Sequence, residues 1–313
     1  MTQPAGVSPH ALKNPDASAS PGAHMAEELA SQPDIWACAA SLHGEQGMLP
    51  RHGTRIAVVG CGTSWFIAQA YASLREQRGR GETDAFAASE AFVDRDYDAV
   101  VAITRSGTTT EVLELMDRLR GRVRTVGVIG DPESPLVDLV DDAVTLPFAD
   151  ERSVVQTRFA TTALALFRAS LGESLDDAVS DARQAVLEEL DPVLVASDQF
   201  TFLGRGWTVG LAHEAALKMR EASQSWTESY PAMEYRHGPI AIAAPGRTVW
   251  HFGEPPAMLA SDVLATGARF ECRSVDPMAE LVRAQRVALA RASARGLDAD
   301  APRNLTRSVV LGG

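Results

Sequence analysis

The sequence predicts an α/β protein in two halves, each a parallel sheet flanked by helices in a three-layer αβα sandwich. Three observations carry this expectation. Short, continuous, β-branched runs occur at IAVVG (56–60), AVVAIT (99–104) and VRTVGVIG (123–130). Amphipathic stretches of helical length, SWFIAQAYASLREQ (64–77) and TTTEVLELMDRLR (108–120), alternate with them. The same alternation restarts after residue 190. A strand that is apolar throughout is buried on both faces, as in a parallel sheet covered by helices.

In chain order, residues 1–24 are rich in Pro, Ser and Ala and read as a disordered tail. They lack the basic start and apolar run of a secretory signal, and no apolar stretch reaches membrane-spanning length. A cytoplasmic protein is therefore expected. Residues 25–190 form the first half, closed by helical segments at 157–171 and 174–190. Residues 191–313 form a smaller second half. It comprises FTFLGRG (200–206), a helix over 207–223, TVWHF (248–252), and helices over 255–267 and 276–293. The tail DADAPRNLTRSVVLGG follows, with a potential turn at Asn304.

The chain of 313 residues is 45% hydrophobic and 22% charged, an ordinary balance for a globular enzyme. Its formal charge of -12 opposes nucleic-acid or anionic-membrane binding driven by bulk electrostatics. Cys38, Cys61 and Cys272 are widely spaced, without a CxxC pair, and the seven histidines form no HxH or HxxxH pair. Neither a metal nor a cofactor is expected.

Two strand-to-helix loops carry hydroxyls. In VVGCGTSW the position of a third dinucleotide-fingerprint glycine is Trp65, which argues against a Rossmann loop. Gly62, Thr63 and Ser64 fit either an anion loop at a helix N-terminus or a glycine turn capped by a hydroxyl. In ITRSGTTTE, Thr108 and Glu111 have capping-box spacing, which explains part of the pattern. A capping box does not require Thr104, Arg105, Ser106 and Thr109 as well. Both loops follow parallel strands, so they share the sheet edge where ligands bind in open α/β sheets. A monophosphate site is the favoured reading.

The helix LAHEAALKMREAS places Glu214, Lys218 and Glu221 at i, i+4 and i+7. At 100° per residue they fall within about 60° of one another. This narrow polar stripe is either a solvent-facing ladder or a carboxylate aimed into a cleft with a lysine setting its charge. Downstream, His237 lies in the turn-rich segment YPAMEYRHGPIAI, as a proton carrier or an ordinary loop histidine.

Taken together, FLGRGWTVGLAHEAALKMREASQSWTESYPAMEYRHGPIAI, GCGTSW, TRSGTTT, ERSVVQTRFATT and PRNLTRSV resemble the sugar-isomerase (SIS) domain family. The likeness is to the isomerase domain of glutamine–fructose-6-phosphate aminotransferases and covers roughly residues 25–313, MAEELASQPDIW included. It implies two flavodoxin-like SIS subdomains, a homodimer and a hexose 6-phosphate substrate. By position, Ser64, Ser106 and Thr109 match phosphate ligands, with Thr104 in the same loop. Glu221 matches the base that takes the C2 proton, and Glu214 and Lys218 match residues of its helix. His237 matches a ring-opening histidine delivered from the neighbouring subunit.

Four departures bear on the reaction. The sequence has no glutaminase segment, so glutamine-dependent synthesis is not expected. Arg105 stands where the family's SQSGET loop has glutamine, and its charge suits an anionic group. Gln156 replaces a serine that touches the sugar. Arg307 replaces the tail lysine that forms a Schiff base, and a guanidinium does not form that imine. The expected substrate is glucosamine 6-phosphate or N-acetylglucosamine 6-phosphate, opened by His237 and deprotonated at C2 by Glu221. Arg307 shifts the expectation towards loss of water. The alternatives are isomerisation with deamination to a ketose 6-phosphate, and a non-catalytic sugar-phosphate sensor.

Overall fold

The computed structural model describes residues 20–311. Most of the segment assigned to a tail, residues 1–19, lies outside the described residues. The first helix, α1 (Ala23–Ala40), begins within the remainder of that segment. It is followed by a short α2 (His43–Gln46) and then by the first sheet unit: β1 (Ile56–Gly60), α3 (Thr63–Gln77), β2 (Thr83–Ala87), β3 (Ala99–Thr104), α4 (Thr110–Leu119), β4 (Arg124–Ile129) and β5 (Asp142–Thr145). Helices α5 (Arg158–Ser170), which packs against α1 and α3, and α6 (Asp176–Leu187) follow the first sheet; then come α7 (Pro192–Val195), β6 (Gln199–Gly204), α8 (Thr208–Ser223), β7 (Thr227–Pro231), β8 (Arg247–His251), α9 (Leu259–Ala265), β9 (Arg269–Glu271) and α10 (Pro277–Ala294) of the second unit.

Every strand pair is parallel, in a five-stranded sheet of order β2-β1-β3-β4-β5 and a four-stranded sheet of order β7-β6-β8-β9. Helices flank both sheets, the three-layer arrangement that the alternating sequence predicts. The apolar runs occupy β1, β3 and β6, which are buried at every position. The helix expected over 255–267 shortens to Leu259–Ala265, because Met258 takes a left-handed backbone conformation with φ of 66°. Among the described residues, no helix is long and apolar enough to cross a membrane.

Helices α3 and α8 join the two units by direct backbone contact. A Cβ on Gly210 of α8 would lie 2.4 Å from the Phe66 carbonyl oxygen of α3, so only glycine permits this approach. The chain's end is also woven into the fold. The Asp300 carboxylate accepts from the His24 and Met25 N–H groups at 2.9 and 2.8 Å, satisfying free donors at the start of α1. Asp298 accepts from the Gly22 N–H at 3.0 Å. The predicted turn at Asn304 is present, with φ of 64°.

Candidate active site

Strands β1 and β3 are adjacent and parallel, so the loops leaving their C-terminal ends lie side by side at one sheet edge. Gly60 and Gly62 make the first loop. A Cβ on Gly60 would fall 2.7 Å from the Ser64 backbone, and Gly62 has φ of 54°. Helix α3 therefore starts at Thr63 with Gly62 as its N-cap, and no side chain caps it. Thr63 and Ser64 sit inside the first turn, 4% exposed, with their hydroxyls free of the capping role.

The second loop is held by its own hydroxyls. Thr104 Oγ1 accepts from the Gly107 N–H at 3.2 Å, and Ser106 Oγ accepts from the Thr108 N–H and hydroxyl at 3.3 and 3.0 Å. Gly107 has φ of 60°, and a Cβ there would come within 2.1 Å of Ser134 Oγ. The capping box expected of Thr108 and Glu111 does not form. Helix α4 begins at Thr110 with Thr109 as an N-cap that makes no side-chain cap, while the Thr108 hydroxyl turns to Ser106 and Ser308.

Arg105, read as suited to an anionic group, is engaged by carbonyls of the chain itself. It is 5% exposed, and its guanidinium donates to the Ser153, Val154 and Arg307 carbonyls at 2.9, 3.3 and 2.9 Å. Its Nη1 also lies 3.8 Å from Glu151. Arg105 thus clamps the loop to residues 153–154 and to the chain's tail. The tail closes on the loop from its other side. Ser308 Oγ lies 2.9 Å from the Thr108 hydroxyl and 3.4 Å from that of Thr109. The Thr110 N–H donates to the Val309 carbonyl at 3.2 Å. Arg307, where a lysine was expected, pairs with Asp150. Gln156 leaves its buried amide nitrogen without a partner among the described residues.

Glu214 and Lys218 are 0% and 1% exposed, which excludes a solvent-facing ladder. Lys218 Nζ donates to Glu221 Oε2, and the Glu221 side chain retains 19% exposure. Burial pushes the Glu214 carboxyl up to about 8, against the pull of Lys218 and of a hydrogen bond from Gln285. The Leu217 side chain lies 3.9 Å from where a Cβ would stand on Gly62. Leu217, beside Lys218 and one turn before Glu221 on α8, therefore borders the first hydroxyl loop.

His237 is not brought to this cluster. It is exposed at the end of a 3-10 turn, Glu234–His237, and makes no hydrogen bond or ion pair among the described residues. Two clefts of about 450 and 750 Å³ lie elsewhere, lined by Arg51, His52 and Arg75 in one and by Asp181, Glu254 and Arg273 in the other. Sequence reasoning missed Glu151, Ser308 and Gln285. Ser308 had a signal in the closing PRNLTRSV segment; Gln285 is one polar residue on an ordinary amphipathic helix.

No family model matches the chain. It is 29% identical over 82% of its length to a glutamine–fructose-6-phosphate aminotransferase of Gloeobacter violaceus, and 30% identical over 70% to that of Thermus thermophilus. The match takes in 52% and 42% of those proteins, so the chain spans about half the length of the curated relatives it matches. The chain is a homologue of their isomerase half. A solved glucosamine-6-phosphate deaminase of Thermotoga maritima superposes with a TM-score of 0.79 at 26% identity, covering 91% of this chain and 99% of that one. A tagatose-6-phosphate ketose/aldose isomerase of Escherichia coli superposes at 0.73 with 18% identity, covering 94% and 99%, which shows the fold alone. The two parallel sheets form the SIS fold.

Proposed function

We propose that the chain is a sugar-phosphate enzyme of the SIS type that deaminates glucosamine 6-phosphate through aldose–ketose isomerisation. The observation that carries the reading is the pair of buried Lys218 and partly exposed Glu221 on α8, whose Leu217 borders a hydroxyl-lined loop at a parallel-sheet edge. A buried ammonium beside a partly exposed carboxylate gives a base of fixed orientation, and such a base contributes on the order of 10²–10⁴ in rate.

In this reading the phosphate takes hydrogen bonds from the Ser64, Ser106 and Thr109 hydroxyls, aided by the N-termini of α3 and α4. His237, supplied by a second copy of the chain, opens the ring. Glu221 removes the C2 proton beside the C1 aldehyde and returns it to C1. The C2–N bond becomes the substrate's own imine, and water hydrolyses it to a ketose 6-phosphate and ammonia. This route needs no imine on the protein, so Arg307 in place of lysine does not oppose it. The likeness to a glucosamine-6-phosphate deaminase supports it.

Loss of water is the second reading, favoured for an N-acylated substrate, because an amide nitrogen does not readily become an imine. In that case the C2 carbanion expels the 3-hydroxyl and leaves an unsaturated sugar phosphate. The test is incubation with glucosamine 6-phosphate and with N-acetylglucosamine 6-phosphate, assaying ammonia and near-UV absorbance. Ammonia from the free amine is expected. Near-UV absorbance from the acetylated sugar alone would replace deamination by elimination, and neither signal from either sugar would overturn both readings.

A further inference from the structure

A continuous line of buried hydrogen bonds runs from α1 to the carboxylate of Glu214. Trp36 Nε1–H donates to Thr161 Oγ1 at 2.9 Å, and the Thr161 hydroxyl donates to Gln32 Oε1 at 2.7 Å. Gln32 Nε2 donates to Gln285 Oε1 at 3.0 Å, and Gln285 Nε2 donates to Glu214 Oε1 at 3.1 Å. Trp36, Gln32, Thr161, Gln285 and Glu214 are all 0% exposed. The line crosses four helices, α1, α5, α10 and α8, and ends on a carboxylate whose second oxygen has no partner among the described residues.

The direction of the line follows from its two ends, an indole donor and a carboxylate acceptor. An indole N–H only donates, so Thr161 accepts from it, and of the acceptors within reach of the Thr161 hydroxyl, Gln32 Oε1 at 2.7 Å is nearer than the Arg158 and Thr157 carbonyls at 3.2 and 3.3 Å. That contact sets the Gln32 amide with its oxygen to Thr161 and its nitrogen to Gln285. Gln285 is set the same way, and its N–H faces Glu214. A reversed line would place the Gln285 carbonyl against the Glu214 carboxylate, which the ionised form disfavours.

We propose that Trp36, Thr161, Gln32 and Gln285 form a positioning relay that presents an N–H donor to Glu214 and so sets the charge that Glu214 carries on the helix of the Lys218–Glu221 pair. The inference rests on the reading of Glu221 as the base. When Glu214 is ionised, its negative charge acts on Lys218 and Glu221 along the same helix. When Glu214 is neutral, that charge is absent and the Lys218–Glu221 pair stands by itself. The charged groups acting on Glu214 are Lys218 and Glu221 on its own helix and Glu151 from the loop before α5; Gln285 supplies the neutral donor that favours the ionised form.

The experiment uses two variants. Gln285→Met removes the donor next to Glu214, and Trp36→Phe removes the donor at the far end while retaining an aromatic ring. The Glu214 carboxyl band, identified by its loss in Glu214→Gln, is followed across pH by infrared difference spectroscopy, and turnover of glucosamine 6-phosphate is followed in parallel. Losing a hydrogen bond to a carboxylate raises its midpoint by about one to two pH units. Gln285→Met is expected to move the band's midpoint and the rising limb of kcat alkaline by that much, with KM changed less than about threefold. Trp36→Phe is expected to shift both the same way by less, because cooperative strengthening along a chain is partial. Folded variants that lose melting temperature with no midpoint shift would overturn the relay. A wild-type protein without turnover whose band still shifts in both variants would support the relay and defeat the proposed reaction.

Discussion

Replacing Arg105 by glutamine separates two accounts of this loop. The guanidinium spans three carbonyls from two distant segments, with Ser153 and Arg307 both at 2.9 Å and Val154 at 3.3 Å. A glutamine amide is too short to reach all three. Charge-assisted hydrogen bonds each contribute about 1.5–3 kcal/mol, and bonds sharing one group are not additive. The Glu151 carboxylate also loses a buried cation 3.8 Å away, although it keeps the Thr157 and Arg158 N–H bonds. A loss of about 3–5 kcal/mol follows. The assay is urea unfolding combined with limited proteolysis of residues 302–311. A lower midpoint and a protease-sensitive tail are expected, with Arg105→Lys recovering less than half of the stability. An unchanged midpoint together with weakened sugar-phosphate binding would refute the clamp and restore Arg105 as an anion ligand.

Two further outcomes follow from the same geometry. Gly107→Ala combines a left-handed backbone with a Cβ 2.1 Å from Ser134 Oγ, so it is expected to lower stability by about 2 kcal/mol or more and to weaken sugar-phosphate binding; calorimetry and titration check this. Burial pushes the Glu28 and Glu214 carboxyls up to about 8, helped for Glu28 by Glu151, so between about 4.5 and 8 the native state holds protons that the unfolded chain has released. The stabilisation is complete below the unfolded value and lost as pH rises through 8. A higher melting temperature at pH 5.5 than at pH 8.5 is therefore expected, with a flatter dependence in Glu28→Gln, whereas a melting temperature that rises over this range would contradict the assignment.

The central strands were legible because β1, β3 and β6 are buried along their whole length and read as unbroken apolar runs. The edge strands were not. β2 (TDAFA), β5 (DAVT), β7 (TESYP) and β9 (RFE) are short, half-buried and polar, which is how edges avoid pairing with other chains and also why they read as loops. In the candidate site, the hydroxyl loops and the α8 stripe were visible because each is local. The work of Arg105 was not, since its acceptors lie 48 and 202 residues away in the chain. Gln32 and Gln285, 253 residues apart, meet only when four helices pack.

The proposed reaction turns on Glu221 moving a proton at C2 of a phosphorylated sugar. The most direct measurement is proton exchange at C2 of glucosamine 6-phosphate in deuterated buffer, followed by NMR for the wild type and for Glu221→Gln. Deuterium incorporation by the wild type is expected, with a loss of about 10²-fold or more in the variant and sugar-phosphate binding retained. Equal exchange in both proteins would contradict it.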